Sequence, residues 1–184
     1  RVRGGGERTW TPDPDRAVLI TGGTGEIGSA VAVHLVRFYG LRHLVLTSRR
    51  GENAPGAAAL REELHQAGAK TVRIVACDVS QPAQLDALLA TATDLPWGAV
   101  LHLAGVLDDG LLGDQTPERL EAVLAAKTVA AQLLVERAAD LDLSAVILFS
   151  SAAGVLGSPG QATYAAANHA LDAVAAAARA EGLP

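Results

Sequence analysis

The 184-residue sequence lacks methionine and has only one cysteine and two residues each of Trp, Tyr and Phe. A single cysteine, Cys77, excludes an internal disulfide, and its place at the end of an apolar run predicts a small buried residue. No apolar run approaches the ~20 residues of a membrane-spanning helix, and no secretory or transit segment opens the chain. Because the chain also begins at Arg1 rather than Met, we expect a cytoplasmic piece of a longer polypeptide without a membrane partner.

Positive charge is scarce as well. The chain has 15 Lys and Arg residues against 20 Asp and Glu residues, and its net charge of -5 is spread without a basic stripe. Proteins that bind the phosphates of nucleic acid need such a stripe, so we expect no nucleic-acid partner. The 49% hydrophobic content and the length predict one globular domain with a buried core. We predict no metal site.

Apolar runs of strand length alternate with longer segments of helical period. This pattern predicts strands near 17–21, 43–47, 72–77, 99–103 and 145–150, and helices near 26–39, 56–67, 81–92, 117–139 and 161–181. The alternation predicts an α/β fold, a Rossmann-like doubly wound parallel sheet in a three-layer αβα arrangement, with ligands at the carboxyl ends of the strands. Residues 1–16, rich in Gly, Pro and charge, are expected to be a linker from an upstream segment.

A glycine-rich turn follows the first predicted strand and opens the first predicted helix. Glycines spaced by three residues permit positive φ and let backbone amides and the helix N-terminus approach a pyrophosphate. A purely structural turn is the alternative. We expect this turn to bind a dinucleotide through Thr21, Gly22, Gly23, Thr24, Gly25, Glu26, Ile27 and Gly28.

The second predicted strand ends in Ser48, Arg49 and Arg50. An NAD site usually carries an acid here, which accepts a hydrogen bond from the ribose hydroxyl. A guanidinium suits a 2'-phosphate instead, so the predicted cofactor is NADPH. A solvated surface arginine is the alternative for Arg49.

The third and fourth predicted strands end in further cofactor candidates. Asp78 is placed to accept a hydrogen bond from the adenine amine, and Val79 to pack on the adenine ring. The small residues Ala104 and Gly105 would let the backbone come close to the nicotinamide. His102 is included in this site, although as a side chain it is more typical of a packed strand histidine than of a catalytic base.

Hydroxyl and amide side chains follow the last predicted strand. Ser151 comes where that strand stops, and Asn168 lies four residues after Tyr164, on the same face of a helix. Reduction of a carbonyl needs a hydride donor, hydrogen bonds to the oxygen and a proton for the alkoxide. Ser151 and Tyr164 can meet the last two needs, so the sequence predicts a nicotinamide-dependent reductase.

These motifs, in this order and spacing, resemble the short-chain dehydrogenase/reductase superfamily and, within it, the B-type ketoreductase domains of modular type I polyketide synthases. Most members of the superfamily carry Lys four residues after the Tyr, whereas polyketide ketoreductases resemble a form in which Lys and Asn have exchanged places. The resemblance therefore implies that Lys127, which alone would be a solvated helix lysine, supplies the ammonium. It implies the catalytic set Ser151, Tyr164, Lys127 and Asn168, with Lys127 and Tyr164 also contacting the cofactor.

The resemblance also implies a substrate and its stereochemistry. Leu107-Asp108-Asp109 resembles the loop signature of the B type, and Leu156 stands where the opposite class has Trp. On the residues alone, Asp108-Asp109-Gly110 is a polar turn. The resemblance implies reduction of a β-ketoacyl chain, held on the phosphopantetheine arm of an acyl carrier protein, to a D-β-hydroxyacyl thioester.

The same resemblance implies neighbouring synthase domains as partners and further strands and a lid beyond residue 184. We therefore expect residues 17–184 to be a C-terminally incomplete, NADPH-binding catalytic domain. A stand-alone short-chain reductase and a noncatalytic cofactor-binding or scaffold segment of a synthase are the alternatives.

Overall fold

The computed structural model describes residues 10–91 and 95–184, and residues 1–9 of the predicted linker and residue 92 of a predicted helix lie outside them. Within these ranges a parallel sheet has the order β3-β2-β1-β4-β5. Its strands are β1 (Ala17–Thr21), β2 (His43–Ser48), β3 (Thr71–Ala76), β4 (Trp97–His102) and β5 (Ala145–Leu148). The predicted Rossmann-like fold is confirmed.

Helices cover both faces of this sheet. They are α1 (Glu26–Tyr39), α2 (Ala57–Ala67), α3 (Pro82–Ala90), α4 (Pro117–Leu124), α5 (Ala130–Ala138), α6 (Ala153–Leu156) and α7 (Ala162–Ala180). Alternate strand residues pack on opposite layers: Ile20 belongs to the core with α1 and α2, and Leu19 to the core with α3 and α5. Burying such a side chain fully contributes about 1.5–3 kcal/mol, which explains why the central strands β1 and β4 are apolar except at their carboxyl ends.

The chain leaves β1 toward β2 on one side and later returns to pair β4 on the other side of β1. The connections therefore diverge at the carboxyl ends of β1 and β4. A parallel sheet has its binding crevice at such a point.

Two local predictions were wrong. The helix expected over 117–139 is interrupted by a π-helical turn at Ala125–Val129, in which the Ala130 amide donates to the Ala125 carbonyl. Two adjacent side chains of this turn, those of Lys127 and Thr128, both hydrogen-bond to α7, and the wider turn directs them to the same helix. The strand expected to reach residue 150 ends at Leu148. The short helix α6 was not predicted, because a single turn is too short to show a hydrophobic period.

Residues 10–16 lie against the amino ends of the strands, at the edge of the sheet opposite the crevice. The Trp10 indole donates to the Ser144 hydroxyl at 2.9 Å, and Arg16 pairs with Asp142 at 3.0 Å. The part of the expected linker that the structure describes is thus held by side-chain hydrogen bonds. In residues 10–91 and 95–184, no helix is long and apolar enough to cross a membrane.

Candidate active site

A cleft of about 650 Å³ opens at the carboxyl ends of β1, β2, β3 and β4. This volume falls in the range of pockets that bind small molecules and cofactors. The lining includes most of the predicted cofactor residues and consists of Thr21, Gly22, Thr24, Gly25, Thr47, Ser48, Arg49, Arg50, Cys77, Asp78, Val79, Leu103, Ala104, Gly105, Val106 and Ala126. Thr47, Cys77, Leu103, Val106 and Ala126 were not predicted, because apolar and small residues next to a motif carry no chemical signal of their own.

Two glycines give the loop after β1 its shape. Gly22 has a φ of 67°, and a Cβ atom there would lie 2.8 Å from the Ala104 amide nitrogen. At Gly28 an added Cβ atom would lie 2.2 Å from the Gly22 carbonyl oxygen, so only glycine lets α1 begin this close to the loop. Gly23, Glu26, Ile27 and Gly28 are outside the cleft lining.

Charged and polar side chains mark the far end of the cleft, beyond β2 and β3. Arg49 and Arg50 are exposed at its wall. The Asp78 carboxylate accepts hydrogen bonds from the Ser80 amide at 3.0 Å and the Ser80 hydroxyl at 2.6 Å, which fixes its position. Burial raises the pKa of the Cys77 thiol, in keeping with the predicted small buried residue.

His102 lies beneath the cleft, with 1% of its surface exposed. Its Nε2 atom is 3.0 Å from the Lys127 carbonyl, which only accepts, so this nitrogen donates. Burial lowers the pKa of His102 to about 4, so the ring is neutral and Nδ1 accepts from the Thr21 hydroxyl at 2.7 Å. Thr21 in turn accepts from the Ala104 amide at 3.2 Å. The ring is packed inside the domain, and it joins the end of β1 to the π turn that carries Lys127.

Lys127 and Asn168 form the centre of the predicted catalytic set. The Lys127 ammonium donates to the Asn168 side-chain oxygen at 2.7 Å and to the Phe149 carbonyl at 2.8 Å. The Asn168 amide nitrogen donates to the Tyr164 carbonyl at 2.8 Å, which turns its oxygen toward the ammonium. Lys127 is 5% exposed, and this burial lowers its pKa, although Asp172 partly opposes the shift. The ammonium nitrogen lies 5.5 Å from the centre of the Tyr164 ring.

Ser151 follows β5 in a segment that is bonded to the same cluster. Its hydroxyl accepts from the Ala153 amide at 3.2 Å, at the start of α6. The two residues before it also contact the cluster, because the Phe149 carbonyl accepts from Lys127 and the Ser150 hydroxyl donates to the Asn168 carbonyl at 3.4 Å. Backbone contacts of this kind leave no mark in the sequence, so the role of Phe149 was not predicted.

Gly105 lies between the cleft and the side chain of Lys127. A Cβ atom at Gly105 would lie 3.2 Å from Lys127 Cε and 3.6 Å from Lys127 Cγ. The missing side chain therefore makes room for the lysine stem beside the cleft wall, to which Gly105 and Ala126 both contribute.

The predicted stereocontrol residues lie on two exposed segments near the cluster. Leu107 is 65% exposed, and Leu156 on α6 is 83% exposed. The Asp108 carboxylate pairs with Arg119 on α4, and the Asp109 carboxylate accepts from the Gln161 amide at 2.9 Å. Arg119 and Gln161 were not predicted, because an arginine on a polar helix face looks the same whether or not it has a partner.

A parallel sheet with a glycine-loop cleft beside a Tyr–Lys–Asn cluster is typical of the short-chain dehydrogenase/reductase fold, which implies a nicotinamide cofactor. Residues 17–184 match the model of the KR domain, and the chain belongs to this family.

The relatives of this chain are large synthases. It is 55% identical over 175 residues to polyketide synthase GfsA of Streptomyces halstedii, covering 93% of this chain and 2% of that protein. It is 54% identical over 168 residues to the mycoketide-CoA synthase of Mycobacterium tuberculosis, covering 91% of this chain and 4% of that one. The chain thus spans a small fraction of the curated relatives it matches.

Solved ketoreductases share the fold. A structure of A-type ketoreductases from a modular polyketide synthase is 50% identical, with a TM-score of 0.85 over 94% of this chain and 37% of that chain. The first ketoreductase of the tylosin synthase is 49% identical, with a TM-score of 0.86 over 97% of this chain and 38% of that chain.

Proposed function

We propose that this chain reduces a β-ketoacyl thioester, carried on an acyl carrier protein, to the D-β-hydroxyacyl thioester with NADPH as cofactor. The observation that carries the proposal is the hydrogen-bonded Lys127–Asn168–Tyr164 cluster beside the cleft, with Gly105 between the two. Membership of the KR domain family supports the reaction class.

NADPH, when bound, supplies the hydride that adds to the carbonyl carbon. The hydroxyls of Ser151 and Tyr164 donate hydrogen bonds to the carbonyl oxygen as negative charge develops on it. Tyr164 then gives its proton to that oxygen, which completes the alcohol. The Lys127 ammonium, held by Asn168, stabilises the phenolate that Tyr164 leaves behind.

The preference for NADPH is supported by the two arginines after β2. Arg49 and Arg50 line the cleft wall, and a guanidinium binds phosphate through paired charge-assisted hydrogen bonds. We expect kcat/KM to be higher with NADPH than with NADH, and Arg49→Ala to reduce this ratio at least about tenfold. An unchanged ratio would assign the phosphate to another group.

The carrier-bound substrate and the D configuration are supported separately. The relatives are synthases much longer than this chain, so neighbouring domains and a carrier protein are proposed as partners. A-type ketoreductases share the fold, so the stereochemical proposal depends on Leu107-Asp108-Asp109 and Leu156 rather than on overall similarity.

A cytoplasmic location belongs to the same proposal, since one cysteine forms no internal disulfide.

The test is turnover of a small β-ketoacyl thioester by the complete polypeptide that carries this chain, followed by NADPH absorbance and by chiral chromatography. Tyr164→Phe is expected to lower kcat at least about 10²-fold while leaving NADPH affinity nearly unchanged, because only the proton donor is lost. Tyr39→Phe, the same change at the other tyrosine, is the matched control. Undiminished turnover in Tyr164→Phe would refute the mechanism, and NADPH binding without turnover by the wild type would favour a scaffold.

A further inference from the structure

Residues 107–114, in the loop between β4 and α4, have little apolar burial to hold them in one conformation. This segment contains Gly110 and Gly113, and its leucines are exposed, by 65% at Leu107, 72% at Leu111 and 78% at Leu112. Side chains exposed to this degree contribute little hydrophobic stabilisation. The conformation of this loop must therefore depend on its polar contacts.

One guanidinium supplies four of those contacts. Arg119 binds both oxygens of the Asp108 carboxylate, with Nε 2.9 Å from Oδ2 and Nη2 on Oδ1. It also donates to the Asp109 carbonyl at 3.1 Å and to the Asp114 carbonyl at 2.9 Å. The planar five-donor group thus spans the loop from Asp108 to Asp114, a geometry that the ammonium of a lysine does not reproduce.

The backbone of the loop leaves room for this guanidinium. A Cβ atom at Gly110 would lie 3.2 Å from both terminal nitrogens of Arg119 and 3.0 Å from the Gln115 side-chain nitrogen. Arg119 itself lies in the first turn of α4, where Thr116 caps the helix by accepting from the Arg119 amide. The helix cap therefore fixes the backbone of Arg119, and the absence of a side chain at Gly110 makes room for its guanidinium in the loop.

The same loop contacts the segment that leads to Tyr164. The Gly110 amide donates to the Gly160 carbonyl at 2.8 Å, and the Gln161 side chain donates to Asp109 at 2.9 Å. Gln161 immediately precedes α7, which carries Tyr164. The position of the loop relative to the tyrosine is thus set on one side by α4 and on the other by α7.

We propose that Arg119 is a positioning residue that holds residues 107–114 in one orientation beside Tyr164 and thereby determines the fidelity with which one face of the ketone is reduced. This inference depends on the proposed function, because it concerns the stereochemistry of that reaction. Arg119 lowers the pKa of Asp108, so the ion pair persists throughout the neutral pH range of an assay.

The experiment compares Arg119→Gln and Arg119→Lys with the wild type in the complete polypeptide, using a small β-ketoacyl thioester. We expect Arg119→Gln to raise the fraction of the minor alcohol at least about tenfold and to raise KM, with kcat within about threefold and NADPH affinity unchanged. Arg119→Lys keeps the positive charge but loses the planar set of donors, so its selectivity should lie between that of Arg119→Gln and that of the wild type. Arg137→Gln, which removes another helix arginine paired with acidic residues, is the matched control.

Hydrogen exchange gives a second readout that does not depend on turnover. Amides of residues 107–114 should exchange at least about tenfold faster in Arg119→Gln, and Asp108→Asn should reproduce this from the loop side without adding to it in the double variant. Unchanged exchange and an unchanged product ratio would overturn the inference. A wild type that binds NADPH but reduces nothing would refute the proposed function, and faster exchange in Arg119→Gln would then still show that Arg119 holds the loop.

Discussion

Acid should weaken this domain through one buried residue, His102. Burial lowers the pKa of His102 from 6.5 to about 4, because the ring has no access to water. At neutral pH the ring is neutral in both the folded and the unfolded chain, so His102 adds no pH dependence there. Between about 6.5 and 4 the unfolded chain takes up a proton that the folded chain refuses, and the free energy of unfolding falls as the pH falls.

The size of this loss follows from the same two values. Each pKa unit corresponds to 1.36 kcal/mol, so the full shift of His102 corresponds to about 3 kcal/mol, complete below about pH 4. Burial is the main reason why the folded state refuses the proton, and the positive charge of Lys127 adds to it. A proton on Nδ1 would face the Thr21 hydroxyl, whose own proton would lose its acceptor.

The assay is urea unfolding of the wild type and His102→Gln between about pH 7 and pH 4. The glutamine can still donate to the Lys127 carbonyl but does not titrate, so the variant should lose about 3 kcal/mol less than the wild type on acidification. Carboxylates titrate equally in both proteins and cancel in the difference. His34→Gln, the same change at an exposed histidine, is the matched control. Equal acid sensitivity of the wild type and His102→Gln would refute the reasoning.

Three further predictions concern the lysine. A double-mutant cycle of Lys127→Met and Asn168→Ala, measured by urea unfolding at neutral pH, should give a coupling of about 1.5–3 kcal/mol, and a value near zero would show that the 2.7 Å hydrogen bond stabilises nothing. Because burial lowers the pKa of Lys127, this coupling should fade as rising pH removes the ammonium charge, before its ordinary pKa of 10.5 is reached. Gly105→Ala should cost about 1–3 kcal/mol and reduce turnover, since its Cβ atom would press on the Lys127 stem, whereas Gly113→Ala meets nothing within 4 Å and should do neither.

The parts of the fold that the sequence predicts well are those with a strong local cause. The apolar runs of β1 and β4 are buried on both faces, and Gly22 needs a positive φ that other residues rarely adopt. Such causes act within a few residues, so strands, helices and the glycine loop could be located without any knowledge of tertiary contacts.

The parts that local patterns do not predict depend on partners far along the chain. Lys127 is buried because it reaches Asn168, 41 residues away, and the role proposed for it came only from the family resemblance. The π turn changes the helical period over five residues of an Ala-rich segment, which leaves the hydrophobic pattern almost the same. The bond from Arg119 to Asp108 needs the folded loop to bring the two together.

The π turn also fixes how this site can be copied or altered. A turn closed by a bond from residue i+5 contains one residue more than an α-helical turn, and each helical residue rotates its side chain by about 100°. Deleting one residue between Leu124 and Lys127 would restore a uniform helix. The Lys127 side chain would then rotate with respect to α4, so that with α4 and its loop held in place the ammonium would no longer face Asn168. A designer who transplants the Lys127–Asn168 pair into another helical scaffold must therefore transplant the extra residue as well, and an alignment gap placed here would assign the ammonium to the wrong face.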